Sequence, residues 1–161
     1  MPAYPDPDTP SCVSLYGDSF TWAVARAFRH FHIRSEIQRL PWFAEFYQRD
    51  HGSGALPVTA EIVRGFESEA RSRGQHPVVV VLPTGMDFDY RESTGGWVYQ
   101  PLIEDLAGSG IQVFNVGDAM REAVDGRDHC ELFSDCSGHY NAAGYALVAE
   151  IMSEHLAALT P

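Results

Sequence analysis

Apolar positions along the chain change period several times, and each change marks an element. Val13-Ser14-Leu15-Tyr16 reads as a short strand. Beyond Ser19, the residues Phe20, Val24, Ala27, Phe28 and Phe31 recur at helical spacing and predict an amphipathic helix. Pro41 interrupts that pattern, and Trp42, Phe43, Phe46 and Tyr47 then cluster as a short aromatic helix. The stretch 51–57 is a loop by its glycine and proline content, and a second helix is expected from Thr59, its N-cap, with Ile62, Val63, Phe66 and Ala70 on one face and Gly74 as its stop. Val78-Val79-Val80-Val81-Leu82 is uninterrupted and mostly β-branched, the mark of a parallel strand buried on both faces. A glycine-rich loop containing Trp97 follows. Pro101 then opens a short helix with Leu102, Ile103 and Leu106, which ends at Gly108 and Gly110. A strand over 111–116 comes next. Asn141 caps a last helix in which Tyr145, Val148, Ile151, Met152, Leu156 and Leu159 share a face.

Strands alternating with helices predict an α/β class domain, with helices packed on a parallel sheet. The expected division is an extended, proline-rich tail over 1–11 and a single domain over 12–161. With 161 residues, of which 45% are apolar, the chain can bury a substantial core. Its formal net charge of -11 opposes nucleic acid as a partner and disfavours an anionic membrane surface. All eleven basic residues are arginine, so neither a Schiff-base lysine nor a phosphate-loop lysine is available. The four prolines and the missing positive charge of the first ten residues do not form a secretory signal. The expectation is a cytoplasmic protein, or one whose leader lies outside this sequence. Three cysteines with no signal favour reduced thiols, although Cys130 and Cys136 are close enough to bridge.

Candidate chemistry sits near the two ends. Tyr16-Gly17-Asp18-Ser19-Phe20 places a serine after a strand, and Asp135-Cys136-Ser137-Gly138-His139-Tyr140-Asn141 places an acid and an imidazole before a helix. A hydroxyl becomes a competent nucleophile when an imidazole takes its proton, and a carboxylate fixes the imidazole tautomer. Asp18 reads as a turn-forming carboxylate.

These two motifs resemble those of the SGNH, or GDSL, hydrolases. The likeness rests on Tyr16-Gly17-Asp18-Ser19-Phe20-Thr21-Trp22 and on Gly138-His139-Tyr140-Asn141-Ala142-Ala143-Gly144-Tyr145 running into Leu147-Val148-Ala149-Glu150. The resemblance implies a three-layer αβα sandwich of the flavodoxin-like SGNH type, here with three or four parallel strands. It implies Ser19 as nucleophile, His139 as general base and Asp135 as the orienting acid, with Asp128 as the alternative acid. The Ser19 backbone N–H would donate to the oxyanion, and Gly85 is a further candidate donor. The acid lies four residues before the histidine, where the family has three. Its Gly-x-Asn-Asp element has no counterpart, because the chain holds only Asn115 and Asn141. Gly85-Met86-Asp87 is the nearest imitation. The stretch between Ser19 and Val78 is short for the family's two additional strands, which implies an internal deletion.

The function expected is cleavage of a short-acyl or O-acetyl carboxylic ester through an acyl-serine. The substrate would be a small molecule or a carbohydrate ester, and neither a metal nor an organic cofactor is required. The alternative is a weak or silent binding module lacking a complete oxyanion hole. His129, Cys130, Cys136 and His139 also form a candidate metal set, against which a thiol pair or local disulfide competes. Phe88, Tyr90, Trp97 and Tyr99 read equally as pocket lining or core. The aromatic cluster at 42–47 would bury a homodimer contact if a sheet edge were open.

Overall fold

The computed structural model describes residues 40–159, which belong to one compact unit, Arg39–Pro161. The expected tail, first strand and first helix, with Ser19, lie outside the described residues. Within them the fold is mixed α/β and mostly helical. A 3-10 turn at Ala44–Tyr47 leads to α1 (Ala55–Ser72), β1 (Val79–Val81), α2 (Gly85–Thr94), α3 (Gln100–Gly108), β2 (Val113–Asn115) and α4 (Val116–Val124). A second 3-10 turn at His129–Leu132 precedes α5 (Ala142–Leu159).

β1 and β2 pair in parallel, with Val79 opposite Val113 and Val81 opposite Asn115. The crossover between them carries α2 and α3. One core cluster gathers Phe88, Trp97, Val98, Tyr99, Val116, Met120 and Phe133; the other holds Leu56, Ala60, Leu102, Leu106 and Ile111. The sheet joins the two: Val79 and Val113 pack on the second cluster, and Val80, Val81 and Phe114 on the first. Leu106 and Met120 are fully buried, and a side chain of that size contributes about 1.5–3 kcal/mol when taken out of water.

Several expected boundaries shift. α1 starts at Ala55 rather than Thr59, capped by Gly54 in the left-handed region (φ 61°). Pro57 fits in the first turn, where backbone N–H groups have no intrahelical partner. Its buried stripe is Leu56, Ala60 and Ala70, while Ile62 and Phe66 face solvent at 67% and 55% exposure. β1 is shorter than the apolar run and half-buried, and Leu82 is exposed. Among the described residues β2 is its only neighbouring strand, so its faces are only partly covered.

The glycine-rich loop proves to contain α2. Thr84 starts that helix: its N–H and hydroxyl both donate to Asp87 Oδ2, at 2.7 and 2.8 Å. The strand expected over 111–116 stops at Asn115, whose Oδ1 accepts the Gly117 N–H at 3.1 Å and turns the chain directly into α4. The expectations for α3, with Pro101 in its first turn, and for an Asn141 cap on α5 hold. On α5, Val148, Ile151 and Met152 pack on the core, whereas Tyr145, Leu156 and Leu159 remain exposed. No helix among the described residues is long and apolar enough to cross a membrane.

Candidate functional site

The acid and the histidine of the C-terminal motif occupy one tight loop between the second 3-10 turn and α5. Phe133 and Tyr140 close it as an antiparallel bridge, and the Ser134 N–H donates to the His139 carbonyl at 2.8 Å. Cys136 adopts a left-handed backbone (φ 63°) at its tip. A disulfide joins Cys136 to Cys130, so the expectation of reduced thiols is corrected. The two Cα atoms are 4.4 Å apart because the loop folds Cys136 back over the 3-10 turn.

This loop is fastened to the segment that follows β1. The Met86 N–H donates to the Ser137 carbonyl at 3.2 Å, and the Tyr140 hydroxyl donates to the Pro83 carbonyl. Gly85 packs directly on the Cys136 carbonyl, leaving no room there for a Cβ. Burial keeps the Tyr140 phenol above its ordinary pKa, so it remains a donor.

Asp135 Oδ1 accepts the N–H groups of Ser137 and Gly138, both at 3.1 Å. These bonds hold its carboxyl below the ordinary range, and the nearby His139 acts in the same direction. Asp135 is therefore ionised and close to His139. Among the described residues, however, no hydrogen bond joins the two, so the contact expected at His139 Nδ1 is replaced by backbone contacts. The His139 side chain is exposed. The alternative acid, Asp128, is engaged elsewhere: its Oδ1 accepts the Cys130 N–H at 2.9 Å. The nucleophile candidate Ser19 and its backbone N–H lie outside the described residues.

Both asparagine side chains are engaged in local hydrogen bonds. Asn115 Nδ2 donates to Asp118 at 2.8 Å, and its Oδ1 also accepts the Tyr99 hydroxyl at 2.9 Å. Asn141 Nδ2 donates to the Glu131 carbonyl at 2.7 Å and to that of Phe133 at 3.3 Å. Phe88, Trp97 and Tyr99 are core residues, 2–4% exposed. Of the aromatic cluster, Phe43 and Tyr47 pack on the core, while Trp42 and Phe46 stay exposed.

Two polar groups named in the sequence prove to be buried. Asp87 is 3% exposed, and its Oδ1 has no hydrogen-bond partner. Burial raises its carboxyl above the ordinary value against the opposing pull of the Thr84 donors. His129 is 6% exposed and stacks on Phe88, with ring centroids 5.1 Å apart. Asp89 and Glu92 approach its two ring nitrogens from α2. Their i, i+3 spacing would have flagged them had α2 been recognised as a helix. No family model, curated protein or solved structure matches this chain.

Proposed function

We propose that this chain is a serine hydrolase of the SGNH type that cleaves a short-acyl or O-acetyl ester through an acyl-Ser19 intermediate. In this reading the parallel pair is part of a three-layer αβα sandwich. His139 takes the Ser19 proton and returns it to the leaving alcohol, and the ionised Asp135 stabilises the imidazolium by proximity. The observation that carries the reading is the fastening of the 133–140 loop over the segment just after β1. Functional groups in open α/β folds collect at the C-terminal ends of parallel strands. Water or a sugar hydroxyl serves as acceptor in the same scheme.

A fluorophosphonate probe tests it. Stoichiometric labelling of the full chain, abolished by Ser19→Ala, is expected; no labelling, or labelling that survives the substitution, would overturn it. Turnover of p-nitrophenyl acetate should be slow. The chain has no Gly-x-Asn-Asp element to supply the family's oxyanion asparagine, and losing one such donor costs about 10²–10³ in rate. The second reading, a silent SGNH-like binding module, is favoured by the engagement of Asp135 with backbone N–H groups. It predicts an unlabelled Ser19.

A further inference from the structure

Four potential metal ligands converge on the buried His129 ring. On the Nε2 side, Cys130 Sγ and Cys136 Sγ each lie 4.0 Å from the nitrogen, and Asp89 Oδ1 lies 3.4 Å from it. On the Nδ1 side stands Glu92 Oε1, at 3.3 Å. The ligand atoms of His129, Cys130 and Cys136 lie within 4.8 Å of one another, as do those of Asp89, Glu92 and His129. Phe88 stacks on the ring, 12° from parallel, and fixes its plane.

These spacings are long for direct bonds to the ring, since N–H donors reach carboxylates at about 2.7–3.2 Å. The nitrogen and the two sulfurs would close on one metal ion by a shift of a few tenths of an ångström, whereas Asp89 groups with Glu92 and the ring and not with the sulfurs. With Zn–N near 2.0 Å and Zn–S near 2.3 Å, neighbouring ligands stand about 3.3 Å apart for N and O and about 3.6 Å for N and S. A carboxylate on the far nitrogen is the usual outer partner of a zinc-bound imidazole, where it holds the proton on Nδ1 and leaves Nε2 for the metal. Glu92 Oε1, 3.3 Å from Nδ1, stands on that side of the ring and would close by a few tenths of an ångström to make that bond. What withholds the site is the Cys130–Cys136 bond, because thiolates bind zinc and a disulfide does not.

We propose that His129, Cys130 and Cys136 form a three-ligand zinc site, with Glu92 on the far side of the His129 ring, that becomes available when the Cys130–Cys136 disulfide is reduced. A phosphine reductant cleaves the S–S bond, takes the oxygen of one water and leaves as phosphine oxide, and the disulfide becomes two thiols. Zinc binding then releases both thiol protons. The disulfide and the metal are alternative cross-links of one loop, so residues 133–140 stay pinned in either redox state. This inference is independent of the esterase reading, for no ligand is a member of the proposed triad.

The test uses cobalt(II) as a spectroscopic stand-in for zinc on the full chain, reduced with a phosphine. The expected result is one equivalent bound, with thiolate-to-cobalt charge transfer and the visible bands of tetrahedral cobalt, displaced by zinc. The oxidised protein should show neither band. A Cys12→Ser variant, which removes the remaining cysteine, should behave like the parent. Glu92→Gln should keep the spectrum and weaken affinity about 10–100-fold. Asp89→Asn should keep the spectrum, because Asp89 is not grouped with the sulfurs. Both side chains are partly exposed, so these variants keep the core intact. Failure of the reduced chain to bind cobalt, or an equal signal from the oxidised chain, would overturn the proposal.

Discussion

Gly85→Ala isolates the contact that holds the 133–140 loop in place. Gly85 begins α2 and its backbone is unstrained, so by helix propensity alone alanine should gain about 0.5–1 kcal/mol. Packing opposes this. The added Cβ would sit 2.7 Å from the Cys136 carbonyl carbon and nearer still to its oxygen. That obstacle is backbone and has no rotamer into which to escape. The loop is also tied by the disulfide, by the Met86–Ser137 hydrogen bond and by Tyr140, so retreating would break at least one of them. Overpacking costs about 1–3 kcal/mol, which leaves a net loss of roughly 0–2.5 kcal/mol after the propensity gain, and the backbone obstacle sets the expectation in the upper part of that range, about 1–2 kcal/mol. For a chain of this size that lowers Tm by roughly 2–8 °C. Gly65→Ala is the control: it lies within α1 with nothing inside 4 Å of its Cβ, and should stabilise by about 0.5–1 kcal/mol. Thermal and urea unfolding of both variants beside the parent give the two signs. A Gly85→Ala protein as stable as the parent would show that the loop does not bear on α2 as described. Fluorophosphonate labelling of the same variant should slow, since a loop displaced by 1 Å costs about 10²-fold in reaction rate.

Two further substitutions probe the frame. Asn141→Ala removes the acceptor for the Ala143 and Gly144 N–H groups and the donor to two carbonyls, and should cost about 2–3 kcal/mol in urea unfolding; a loss below about 0.5 kcal/mol would refute its role as a clamp. Asp87→Asn tests the buried carboxyl through pH. Its folded pKa is raised above the ordinary 3.8, so the folded chain keeps a proton that the unfolded chain has released. The stability this contributes is present below the unfolded pKa and is lost as pH rises through the folded one. The stability of Asp87→Asn relative to the parent should therefore rise with pH above 3.8, and a flat or falling difference would refute it.

Apolar patterning made the strands, α3, the α5 cap and the 3-10 turn at 44–47 legible, because each carries a local signal. It missed α2, where Asp87, Asp89, Arg91 and Glu92 supply charge and Gly95 and Gly96 supply loop character. The buried side chains of that helix are Asp87 and Phe88, too few to establish a period. It missed α4 because Val116 extends the apolar run of β2, and only the Asn115 side chain reveals that the strand has ended. Ile62 and Phe66 misled in the other direction: they keep the helical period, but the stripe that meets α3 is Leu56 and Ala60, one step round the helix.

The same division runs through the candidate site. Asp135 and His139 are legible as members of one short motif, but the bond expected between them is replaced by the backbone contacts of Asp135. What holds the loop has no chemical signature in one dimension. Gly85 is legible as a glycine but not as the floor beneath Cys136, and Tyr140 is legible as an aromatic but not as a donor to Pro83. His129 is the clearest case. In sequence it belongs to a candidate metal set with Cys130, Cys136 and His139, whereas in the fold it is a buried ring stacked on Phe88 and met by Asp89 and Glu92 from α2, with His139 exposed. Convergence of that kind is created by the crossover from β1 through α2 and by the left-handed turn at Cys136, which bring together residues 89, 92, 129, 130 and 136. Asp135 and His139 share their loop with one member of the His129 cluster, for the loop that carries them is the loop that Cys136 anchors. An exchange of the disulfide for a metal would keep that loop tied to the second 3-10 turn.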